Sequence, residues 1–204
     1  MSLRGFLAAL LALLLGGCWI GNGALFAPDD LASVELDGHY EIGANFPEGS
    51  TRQFARFEAL GDGRTRIVPL RSPGEPGAEF AEDREALLSL VAIPGAANGW
   101  YLAFVSEDET EPREVQFYIA RYESARLSLH APNCDGTPRR DGMERLFEDG
   151  GSRTCRFTTR DALLDAAREG VAELSASRIF PVEPVVTIVP ADNEHEIGED
   201  EAPE

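Results

Sequence analysis

The sequence predicts a mainly β fold carrying one C-terminal α-helix. Three observations lead there. Apolar and polar residues alternate at positions 34–42, short strand-like runs then recur between turn residues as far as 131, and from 158 to 174 the period becomes helical. Strands in series with short turns imply an antiparallel meander. It either forms a curved sheet or closes into a small barrel, in both cases covered by the helix.

The first run is the cleanest. Val34, Leu36, Tyr40 and Ile42 share one face and Glu35, Asp37, His39 and Glu41 the other, the pattern of a strand with one wet side. Runs 53–60 and 66–70 flank Gly61-Asp62-Gly63-Arg64, a hairpin signal, and Pro69 marks an edge strand or a strand end. Pro73-Gly74-Glu75-Pro76-Gly77 is a loop. Runs 87–93, 100–105, 115–122 and 126–131 follow, separated by 94–99, the acidic stretch 107–112 and Glu123-Ser124-Ala125. Residues 84–92 also read as a short helix, because period alone does not decide short apolar runs. Trp100–Val105 is apolar on both faces, so it should be a central strand or one wall of a closed structure.

Thr158, with Asp161 three positions on, has the form of a capping box and opens the helix. Leu163, Leu164, Ala167, Val171 and Leu174 then fall on one helical face. Residues 180–190 are apolar but contain Pro181, Pro184 and Pro190, which points to a terminal edge strand or an extended arm. Residues 191–204 read as a disordered acidic tail, with seven carboxylates and no Arg.

The N-terminus has the parts of an export signal: Arg4, an apolar run over 6–15, then small residues. The run is shorter than the about 20 residues that a membrane-spanning helix needs. Leu15-Gly16-Gly17-Cys18 resembles the lipobox of bacterial lipoproteins. That resemblance implies cleavage between Gly17 and Cys18, and a Cys18 carrying a diacylglycerol and usually a third acyl chain. Several chains hold a protein firmly, at about 0.8 kcal/mol for each buried methylene. Trp19 stands where some bacteria place the aspartate that retains lipoproteins in the inner membrane. The implied address is therefore the outer membrane, facing the periplasm. Two other readings compete: an uncleaved anchor helix running on to Phe26, and ordinary cleavage leaving Cys18 a plain thiol. Gly16, Gly17, Gly21, Asn22 and Gly23 weigh against the helix.

On this reading residues 1–17 are a signal peptide, 18–32 an anchor and tether, 33–190 one β-rich domain, and 191–204 the tail. Removing 1–17 leaves 17 Arg against 36 Asp plus Glu, a formal charge of −19. Nucleic acid is excluded as a partner, because binding it needs a concentrated basic surface. Repulsion from anionic headgroups is expected to hold the domain off the membrane on its tether. Cys134 and Cys155 remain as an even pair in an oxidising compartment and are expected to form a disulfide, contributing about 3 kcal/mol. Zinc is the competing use, but no nearby His completes a ligand set.

The chain carries no nucleophile elbow, phosphate loop or zincin motif. No catalytic residue, cofactor or metal is expected. His39 with Asp37 and Glu41 reads mainly as a solvated strand face. His130 alternates with Ser128 and Arg126 and reads as a surface residue, and His195 lies in the tail. The loop holding Asp135, Arg139, Arg140 and Asp141 beside Cys134 has binding capacity. Trp100, Tyr101, Phe104, Phe117, Tyr118 and Tyr122 either fill the core or line a ligand cavity. The functional expectation is a non-enzymatic, lipid-anchored envelope domain that binds a protein or cell-wall component. The alternatives are a carrier of an apolar small molecule or lipid, and an enzyme of unknown class.

Overall fold

The strands predicted from the alternating pattern close on themselves. The computed structural model describes residues 19–46, 49–70, 86–106, 114–147, 153–176 and 183–191. In chain order the strands are β1 (Trp19–Asn22), β2 (Gly38–Phe46), β3 (Gly49–Ala59), β4 (Arg64–Pro69), β5 (Ala86–Ala92), β6 (Trp100–Ser106), β7 (Glu114–Glu123), β8 (Arg126–His130), β9 (Met143–Phe147), β10 (Arg153–Phe157) and β11 (Val186–Pro190). One α-helix, α1 (Arg160–Ala176), lies between β10 and β11. Strands β2 to β8 run as an up-and-down meander, β11 enters between β8 and β2, and β6 also pairs with β7. The result is a closed eight-stranded barrel whose pairings are all antiparallel. Outside it, β1 pairs with the start of β7 and, in parallel, with β10, which pairs with β9.

The period-2 pattern sorts the apolar residues into two cores. Tyr40, Ile42, Phe57, Ile67, Leu88, Leu90, Tyr118, Leu127 and Ile188 cluster on the inward face of the barrel. Leu36 joins them from the segment before β2, which also meets one end of the barrel: the Ala59 N–H donates to Asp37 Oδ1 and Tyr122 Oη to the Glu35 carbonyl. The outward face of β5 to β7 supplies Val91, Leu102, Phe104, Phe117 and Ile119 to the second core, with β1, β10 and the buried side of α1. Phe117, Phe157, Leu102 and Leu163 are essentially inaccessible there, and each such side chain contributes about 1.5–3 kcal/mol by burial. The six aromatics singled out above divide between these cores. Tyr101, Tyr118 and Tyr122 pack inward, and Trp100, Phe104 and Phe117 pack outward.

Several expectations are corrected. Ala86–Ala92 is a strand, as the run 87–93 predicts, and not the short helix that the pattern also allowed. The first strand begins at Gly38, later than its alternating pattern. Strand β11 is neither an edge nor an arm, since it is paired on both sides. Pro184 precedes it and Pro190 ends it, so no proline interrupts its ladder. Between Cys134 and Cys155, where no strand was predicted, the chain forms β9 and enters β10, and the two pair antiparallel. The helix is capped by Thr159, whose Oγ1 accepts from the Ala162 N–H at 3.4 Å, one position later than the Thr158 box predicts.

The largest correction concerns the tether. From Trp19 onward, residues 19–32 are built into the body. Trp19 and Phe26 are buried, Leu31 bridges to Val91, and the Ala32 N–H donates to the Leu90 carbonyl. Glycines that read as linker composition serve packing instead. A Cβ on Gly21 would sit 2.8 Å from the Phe157 carbonyl oxygen. Cys18, most of the acidic tail, the 73–77 loop and the 107–112 turn lie outside the described residues.

The cap gives a direct check. Thr159→Ala should lower stability by about 1 kcal/mol in urea unfolding, while Thr158→Ala stays within about 0.5 kcal/mol of wild type.

Candidate small-molecule cleft

The site arises from how β7 shares its neighbours. On the side away from β6, Glu114, Val115 and Gln116 pair with β1, while the stretch from Ile119 to Glu123 pairs with β8. Strands β8 and β1 therefore lie end to end along one side of β7, with a break between His130 and Trp19. At that break the chain leaves β8 through Ala131 and Pro132 into the Cys134 loop.

A cavity of about 280 Å3 occupies the break. Ile119, Trp19 and His130 line it. The 131–138 segment supplies a further wall, and α1 contributes Ala166, Gly170 and Leu174, with Glu169 and Glu173. The helix reaches β7 closely because residue 170 is glycine. A Cβ there would come within 2.3 Å of Ile119 Cδ1.

The wall is held by a relay of hydrogen bonds. Trp19 Nε1 donates to Thr137 Oγ1 at 3.0 Å, and the Thr137 hydroxyl donates to the Asn133 carbonyl at 2.7 Å. Cys134 and Cys155 form a disulfide with Cα atoms 5.4 Å apart, and both are fully buried. Cys155 is the register partner of Trp19 in β10. The bond thus ties the loop leaving β8 to the strand beside Trp19, across the break. Arg140 from the same loop pairs with Glu169 of α1 at 2.6 Å, and Asp135 pairs with Arg153 at 2.9 Å.

His130 is the histidine of the cleft. It pairs in register with Ile119 and its ring lies 6.3 Å from that of Trp100, which carries Arg121 on its face. Its Nδ1 is buried without a hydrogen-bond partner, and burial lowers its pKa below the ordinary histidine value of 6.5. The surface reading of His130 is corrected. Its outward-facing parity was right, but the residue is half-buried and lines a cavity shared with Trp19, α1 and the Cys134 loop. Strand alternation alone does not report which outward face another element will bury.

The other candidates lie apart from this site. His39 is on the outer face of β2. Nearby, Glu41 pairs with Arg52 at 3.3 Å and Asp37 accepts from Ala59. Among the described residues no three His, Cys, Asp or Glu side chains are grouped to hold a metal ion. His195 falls outside the described residues. Gln116 is buried on the inward side of β7, and neither its Nε2 nor its Oε1 has a partner. Trp19, Ile119 and Thr137, which line the cleft, were not read from the sequence as site residues. Only the alternation of Trp19 with Gly21 and Ile20 with Asn22 hinted at a strand there. Set against protein families, curated proteins and solved structures, the chain matches none.

The burial of His130 has a pH signature. The unfolded chain takes up a proton on this residue near pH 6.5, and the folded chain only at lower pH, so stability falls as pH drops through that window. Glu169 and Glu173 from α1 and Arg121 beside Trp100 are the charged groups around it. Thermal unfolding at pH 7.5 and 5.5 should show a larger loss for wild type than for His130→Gln. Equal losses would contradict the assignment.

Proposed function

We propose that the protein is a lipid-anchored binding protein of the bacterial cell envelope, facing the periplasm from the outer membrane. Acyl chains on Cys18 hold it, and it takes a small molecule into the cleft without transforming it. The observation that carries this reading is the place of the cavity. Trp19 forms one wall, and Trp19 is the residue that follows the lipobox cysteine. Consecutive Cα atoms lie about 3.8 Å apart, so an acylated Cys18 leaves no spacer between bilayer and body. On this reading α1 covers one side of the barrel wall and the cleft opens close to the membrane surface.

Two features support anchoring over spanning. A transmembrane barrel presents an apolar band to lipid and a polar lumen. This barrel has the reverse arrangement, with an apolar inward cluster and an outer face on β2 to β4 carrying Glu41, Arg52, Arg56, Glu58 and Arg66 in ion pairs. The carrier alternative, with its ligand inside the barrel, is less favoured because the inward side chains pack on one another. The same packing leaves the cleft as the better-supported place for a ligand.

Mass spectrometry of the N-terminal peptide tests the anchor. Protein from an exporting bacterial host should begin at Cys18 and carry diacylglycerol, and Cys18→Ala should leave the membrane fraction. An intact Met1, or an unmodified Cys18, would contradict the reading.

A further inference from the structure

The cleft has the size and chemistry to select among small molecules, and this inference rests on the binding reading above. An engineered cavity of about 150 Å3 holds one benzene, whereas sites for drug-sized ligands run from roughly 300 to 1,000 Å3. At about 280 Å3 the cleft fits a body of one to two fused rings and excludes a full-length acyl chain. Its apolar surface comes from Trp19, Ile119, Pro132 and Leu174.

The polar groups narrow the class further. A neutral imidazole carries its proton on one nitrogen and a lone pair on the other. His130 Nδ1 is buried without a partner. A buried N–H left unpaired is rarer and costlier than an unpaired acceptor, so the proton belongs on Nε2. The nitrogen left for the cavity is therefore a donor, and it calls for an acceptor on the ligand. Glu169 and Glu173 on the helix side are exposed to solvent, and Glu169 is already paired with Arg140 at 2.6 Å, so selection rests on the hydrogen bond and not on charge.

We propose that the cleft binds compact, uncharged, mostly apolar molecules that carry one carbonyl-type oxygen, with His130 Nε2–H donating to that oxygen. Analogues of the same shape that lack the oxygen are bound more weakly. The ligand class is thus a small cyclic ketone, lactone or amide, and its entry side lies next to the anchor.

The test uses the full acylated chain in lipid nanodiscs with 5-fluorotryptophan at Trp19 and Trp100, the resonances being assigned with Trp100→Phe. The probes are 1-tetralone and tetralin, the same fused bicycle without the carbonyl oxygen. The ketone should shift the Trp19 fluorine signal saturably, and the hydrocarbon should bind up to about tenfold more weakly. His130→Phe should weaken the ketone by up to about tenfold, the worth of one hydrogen bond. His130→Gln, which keeps a donor, should lie between. Two sharp, dispersed fluorine signals in the absence of probe, with a cooperative thermal unfolding transition, establish that each variant is folded. Equal binding of the two probes, or a His130→Phe variant as tight as wild type, overturns the ligand class while leaving the cleft a binding site. No saturable shift with either probe overturns the cleft itself, and the mass of Cys18 decides the anchor independently.

Discussion

Strand β7 spans ten residues, twice the length of β8, and that excess is what the structure is built around. With β8 alone beside it, the first part of β7 would be an open sheet edge of unpaired backbone groups. Strand β1 fills that place, and its own outer side then receives β10 in parallel and β9 beyond it. Trp19 fixes the junction. It packs edge-on to Phe157 with centroids 5.3 Å apart, reaches Gly170 of α1, and ties its indole N–H to Thr137. The cleft is the residue of this arrangement, because two strands lie end to end on one track without meeting.

The same junction explains why the cysteine bridge matters. The segment between β8 and β9 holds few buried side chains besides Cys134, Pro132 and Thr137. Burial alone gives such a segment little stabilisation against its conformational entropy. Bonding Cys134 to Cys155 fixes it against β10, and the Arg145 guanidinium donates to the Thr137 carbonyl from β9. The wall of the cleft is therefore set by one covalent link and a few hydrogen bonds, while the barrel behind it is held by two apolar cores.

Much of this was legible in the sequence wherever a single physical signal was strong. Alternation gave the strands of the meander, Gly61-Asp62-Gly63 gave the β3–β4 turn, and the even pair Cys134 and Cys155 gave the disulfide. The turn at Ser124 and Ala125 was legible too, although both residues adopt positive φ without being glycine. The illegible parts share a cause. Strand β1 is four residues long and holds a glycine, β9 and β10 are five residues each, and all three depend on distant partners for their pairing. Propensity in such short pieces is outweighed by tertiary context. Strand β11 was misread because three prolines lie in and around it, while its pairing residues lie between them. The cleft could not be read because its walls come from β1, β7, β8, α1 and the Cys134 loop, and no local pattern brings these together.

On the proposed reading, an anchor joined directly to the fold changes how the acidic domain meets the bilayer. A tether would let repulsion push the domain away from anionic headgroups, whereas a buried Trp19 does not allow it. The direct measurement is paramagnetic relaxation in nanodiscs containing lipids spin-labelled at the headgroup. One fluorine label sits on Trp19 and a second on the Gly61–Asp62 turn, which lies far from β1 in the sheet order. The account predicts strong broadening at Trp19 and little at the turn. Equal and weak broadening at both would mean that the domain floats free of the membrane, and would contradict an anchor that enters the fold at Trp19.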